Sequence, residues 1–187
     1  MKIARSLLLI VVALGSELAQ AQKSPAPTSL DQNSSITKSE LAEKDLERLQ
    51  NIEDKTIAIA EDFPADLYAT YRPKGNQDVR TAAEILLHVA GVNRRMGFNL
   101  STKQQKDALF AAGKAPQSVT PSPYVSKQDT VAKVKESFAA VRKAIQDNPD
   151  PENLEGWLYV IAHSSEHFGN LVTYYRENGL VPPTSRQ

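Results

Sequence analysis

The sequence contains no cysteine among its 187 residues. That absence excludes a disulfide framework, so the fold must rest on its apolar core alone. It also excludes thiolate ligands, leaving imidazole, carboxylate and water for any metal site. Neither sign of charge is in excess, with 22 basic and 22 acidic side chains. Such balance gives no electrostatic footprint for nucleic acid, which requires a clustered basic face. There is no Gly-rich phosphate loop, no Ser-His-Asp arrangement and no internal repeat. No stretch keeps the period-2 alternation of a strand, and the 8 glycines and 11 prolines fall at boundaries rather than in hairpins. A chain of this length reads as a single domain.

What is present begins at the N-terminus. Lys2 and Arg5 precede a short apolar run, Leu7 to Leu14, and Ala19-Gln20-Ala21 follows as a small-x-small cleavage pattern. This is the layout of a secretory signal peptide over residues 1–21, with cleavage after Ala21. An uncleaved anchor is the alternative, but the run falls short of the ~20 residues that span a bilayer, so no stable membrane insertion is expected after cleavage. No cysteine follows the run, so nothing points to a lipoprotein. Export, to the periplasm or beyond the cell, is the expectation. Removing Lys2, Arg5 and Glu17 takes the 22 and 22 charges to 20 basic and 21 acidic, a net charge of −1. Residues 22–38 are rich in Ser, Pro, Thr and Gln and read as a disordered linker, with the folded domain over 39–187.

Within that domain the apolar spacing is helical throughout, which predicts an all-α fold. A first helix runs from near Ser39 to about Asp62, with Leu41, Leu49, Ile52, Ile59 and Phe63 on one side. A second starts at Thr81, where Thr81 and Glu84 form a capping box, and carries Ile85, Val89, Val92 and Met96. A short helix over 102–112 leads into a loop with Pro116, Pro121 and Pro123. A further long helix opens at Ser126 and runs to about Asp147, with Val131, Val134, Phe138, Val141 and Ile145 at spacings of 3 and 4. The last spans about 152–178 and stops at Asn178-Gly179. Four long amphipathic helices predict a four-helix bundle.

The chemistry lies in the three histidines. His163 and His167 are four apart, which on a helix puts their Cβ atoms ~6 Å from each other and lets both rings reach one ion. Two surface residues would show the same spacing. Gly156, Val160, His163, His167 and Leu171 form one line along the helix, with Leu154, Leu158, Ile161, Ser165 and Phe168 beside it, so the pair should border the buried face. His88 falls on the second helix close to Ile85, again at the core's edge. One histidine alone would read as a ring hydrogen-bonded across the bundle. Three on inward-leaning positions point to a shared divalent metal ion held by His88, His163 and His167.

His163-Ser164-Ser165-Glu166-His167 is also an H-x-x-E-H string, the inverzincin protease pattern in which the Glu is a general base. That chemistry needs a further acidic ligand well downstream. Only 20 residues follow His167, and Glu177 is the one acid among them. Glu166 then reads as a solvated side chain or as one that orients His163. Arg94 and Arg95 read as a solvated face, with an anionic substrate as the alternative. Trp157 reads as a core or interface anchor, and Tyr174, Tyr175 and Arg176 as edge and surface.

The segments YRPKGNQDVRTAAE, ILLHVAGVNRRM and HSSEHFGNLVTYYRENGLVPP together resemble the DinB/YfiT-like superfamily, in particular its secreted bacterial members, over residues 40–183. The resemblance implies a four-helix bundle whose metal is held by one histidine of the second helix and an H-x-x-x-H pair of the last, here His88, His163 and His167. Three protein ligands leave coordination positions open, as in catalytic sites. It implies a metal-dependent hydrolase or transferase acting on an unidentified small-molecule substrate. Some relatives are thiol-dependent transferases, but export would separate this chain from the cytosolic thiols they use. The alternative is a non-catalytic metal- or ligand-binding helical module, for which a homodimer through a bundle face is one arrangement. Zn, Ni and Fe suit an all-imidazole site best.

Overall fold

Three of the helices begin on the same local device. Thr37, Thr81 and Thr102 each accept a hydrogen bond from the backbone three residues on, and Glu40, Glu84 and Gln105 reach back to the backbone of the capping threonine. The computed structural model describes residues 37–116 and 121–186. The expected signal peptide and nearly all of the expected linker lie outside the described residues. Helix α1 spans Lys38–Asp62, α2 Ala82–Leu100, α3 Lys103–Ala111, α4 Lys127–Asp147 and α5 Leu154–Glu177. Short 3-10 turns stand at Pro73–Gly75, Pro151–Asn153 and Pro183–Ser185. There is no strand among the described residues, so the all-α expectation holds.

The four long helices pack through alternation. Helices α1 and α2 each pack against both α4 and α5. The circuit in space therefore runs α1, α4, α2, α5. Its core is formed by Leu49, Ile52 and Ile59 of α1, Leu86 and Val89 of α2, Val134, Phe138 and Val141 of α4, and Trp157, Val160 and Leu171 of α5, all buried. Helix α2 and α4 approach closely at Gly97, where a Cβ would lie 3.2 Å from backbone atoms of Ala140 and Val141. Helix α3 buries no residue; its Phe110 stands edge-on to Phe98 and its Gln105 donates to Asp147 of α4.

The C-terminal end of α5 is tied down more firmly than expected. Gly179 takes a φ of +69°, the amide of Gly179 bonds to Arg176 O and that of Leu180 to Tyr175 O, so the freed carbonyls are satisfied. Tyr174 and Tyr175, expected at the edge, are both buried. Their hydroxyls explain why: Tyr174 donates to Arg80 O at 2.7 Å and Tyr175 to Asp62 Oδ2 at 2.8 Å. A buried phenol needs such a partner. Asp62 also takes a two-pronged pair from Arg186, which holds the chain's last turn against α1.

Candidate metal centre

The alternating circuit sets α2 against α5 and thereby brings His88 to His163 and His167. His88 Nε2 lies 3.1 Å from His163 Nε2. The ring centroids stand 5.0 Å apart for His88 and His163, 5.0 Å for His88 and His167, and 4.5 Å for His163 and His167. One ligating nitrogen from each ring falls within 4.8 Å of the others. Two nitrogens on one ion with bonds of about 2.0–2.1 Å lie roughly 3.3 Å apart in tetrahedral geometry, so the closest pair already has ligand spacing. All three residues singled out by the sequence are therefore brought together, at a distance from which they could hold one metal ion. His167 is buried, while His88 and His163 are partly exposed.

Electrostatics favours the neutral, ligating form of each ring. Burial pushes His163 down to about 4, with the charges of His167, His88 and Arg80 acting the same way. Burial, Arg80 and His167 lower His88 against an opposing pull from Glu166. Burial also lowers His167, where Glu166 opposes and Arg80 adds. The rings are therefore neutral at neutral pH, the protonation state that binds a metal.

The surroundings are incompletely spent. His163 Nδ1 is buried and has no hydrogen-bond partner. Nearby on the same seam, Ser164 Oγ donates to Asn93 Oδ1 at 3.5 Å, while Asn93 Nδ2 is buried without a partner. The side-chain Nδ2 of Asn170 lies 3.4 Å from His167 Nδ1. The exposed ring of Tyr159 stacks on His163 with centroids 5.7 Å apart and planes 18° from parallel.

Several sequence expectations shift here. The line Leu154, Leu158, Ile161, Ser165 and Phe168 was expected beside the buried face, yet Leu158 is 41% exposed and Ser165 is exposed. The buried stripe of α5 is Trp157, Val160, Ser164, His167 and Leu171. Packing against α1 and α2 rather than α4 turns the helix that way. Glu166 is exposed and makes no hydrogen bond to the histidines among the described residues, so it acts on them only through its charge. Arg94 and Arg95 do not bear on the cluster. The cation felt by all three rings is Arg80, just before the Thr81 cap, which sequence reasoning missed. Its position directly ahead of the capping box, two residues before the start of the histidine helix, is the signal that could have found it. No family model matches the chain, and no curated protein gives a match.

Proposed function

We propose that His88, His163 and His167 hold one divalent metal ion in an exported protein of the DinB/YfiT-like four-helix type. The observation that carries this reading is the convergence of three neutral imidazoles, with donor atoms within 4.8 Å of one another. The wider resemblance is supported by four long helices in alternating contact, one histidine from the second of them and an i, i+4 pair from the last. Export rests on the signal-like pattern ending at Ala21. An all-imidazole donor set suits zinc, nickel or iron(II).

When bound, such an ion supplies Lewis acidity toward a substrate oxygen or a weak acid such as water or a thiol. The chain's own residues do the rest. His88 and His163, the partly exposed ligands, mark the side a substrate reaches. Arg80 places positive charge there, which suits an anionic group on that substrate. Tyr159 covers one face of the His163 ring and limits water on that side. This is the reading of a metal-dependent hydrolase or transferase.

A non-catalytic metal-binding module is the second reading. It is favoured by one observation: among the described residues no carboxylate is hydrogen-bonded to any of the three histidines, so none orients a ligand ring from behind as in many catalytic sites. Metal analysis separates protein from ion first. Wild type purified without chelators and offered Zn, Ni, Mn and Fe retains one ion per chain, and His163→Ala retains none. Wild type that retains no metal removes the proposal. Metal that binds without exchangeable water removes only the enzyme.

A further inference from the structure

On the opposite side of α2 from the histidines, α3 stands off the α2–α4 pair and leaves a cavity of about 500 Å³. Its floor and roof are apolar, with Leu87, Ala90, Phe98, Leu109, Ala140 and Ala144 among the lining side chains. Three of the uncharged polar side chains that line it are already spent. Ser101 and Ser137 donate to carbonyls of their own helices, at Gly97 and Val134. Gln105 is used by Thr102 and by Asp147. Of the uncharged polar side chains only Ser122 is left for a polar ligand, so the interior favours hydrocarbon.

The rim is different. Lys133 and Lys143 line it but are paired with Asp129 and Asp147 on α4. Arg94 and Lys114 are exposed and have no such partner among the described residues, and Glu136 is the one unpaired acid there. Two free cations against one anion leave the rim at +1. The volume lies in the lower part of the range of ~300–1,000 Å³ usual for small-molecule sites, enough for one hydrocarbon chain rather than two.

The geometry points to a second binding site, between α2, α3 and α4, for a single-chain amphiphile with a carboxylate head. The chain lies in the apolar cavity and the head meets Arg94 and Lys114. The roof suits such entry: α3 buries no side chain, so it can lift without opening the core. This site shares no residue with the histidine cluster and does not depend on a metal being there.

Calorimetric titration of the full chain tests it with three probes, dodecanoate and dodecylamine kept below their micelle concentrations and dodecanol below its solubility limit. Dodecanoate binds saturably at one per chain, and dodecanol and dodecylamine bind about tenfold more weakly or worse. The double variant Arg94→Glu/Lys114→Glu loses that preference while dodecanol binding stays as it was. Ala108→Trp, on a helix that carries no core residue, blocks all binding with unchanged helical melting, and Ala140→Phe does the same from the α4 wall. No saturable heat with dodecanoate overturns the proposal, as does equal affinity for the three probes, or binding that survives both filling variants. A concentration-dependent dimer that is lost in Leu109→Glu, without dodecanoate binding, assigns the groove to a second copy and overturns it too.

Discussion

The two sides of α2 make opposite use of their polar groups. Toward α5, His88, His163 and His167 turn nitrogens on one another, and His163 Nδ1 and Asn93 Nδ2 are left without partners. Toward α3 and α4, the hydroxyls of Ser101 and Ser137 are satisfied within their own helices and the wall is hydrocarbon. Both sides leave something unfilled. On the first it is hydrogen-bonding and coordinating capacity, and on the second it is volume. Unspent donors and acceptors in a protein interior call for a polar guest, whereas an apolar void calls for an apolar one.

The largest expected effects test whether the two sides share one core. Trp157 of α5 and Phe138 of α4 are both fully buried. Replacing either by Ala should cost about 3–5 kcal/mol in chemical denaturation. A much smaller cost at Phe138 alone would show that the cavity side is loosely packed. Next in size is the metal itself. Free metal at 100 times its Kd should stabilise wild type by about 2.7 kcal/mol, or roughly 5–10 °C in Tm for a domain of this size, and should leave His88→Ala where it was. A gain in His88→Ala equal to that of wild type would place binding elsewhere. Gly97→Val probes the other side. Its branches would press on the Ala140 and Val141 backbone, so a loss of about 1–3 kcal/mol is expected by thermal melting.

The metal-free protein should also become less stable in acid, for a reason confined to the α5 side. The three histidines have folded-state values below 6.5, so as pH falls through 6.5 the unfolded chain takes up protons first and stability drops. The decline from these rings ends once the folded state is protonated too, near 4 for His163. Chelated protein melted at pH 7.5, 6 and 5 should show it, and His163→Ala should flatten part of the slope. The smallest effect belongs to α3. Its Lys103–Asp107 pair is exposed on both partners, and Lys103→Ala should change stability by less than about 0.5 kcal/mol.

Much of this contrast was legible in the sequence, though unevenly. Helix boundaries were, because Thr81, Ser126 and Gly179 carry recognisable caps. Thr37 and Thr102 carry the same threonine-to-Glu or threonine-to-Gln spacing and could have been read likewise. The His163–His167 pair was also visible, since its geometry is local. His88 joins it only through the packing of α2 on α5, which spacing alone does not fix. The orientation of α5 was misjudged because two apolar lines run along it, and periodicity cannot rank them. Only tertiary contact shows that Trp157 and Ser164 lie inside and Leu158 outside. Tyr174 and Tyr175 were taken for edge residues because their buried positions depend on Arg80 O and Asp62, partners distant in the chain. The cavity had no sequence signature, for it arises from a helix that fails to close on its neighbours.

The central claim concerns the three histidines. Crystals of the full chain grown with zinc, nickel or iron and measured across that metal's absorption edge test it most directly. A single anomalous peak should lie within bonding distance of a nitrogen of each of His88, His163 and His167. An ordered histidine cluster with no peak in it, or a peak held by other side chains, would contradict it.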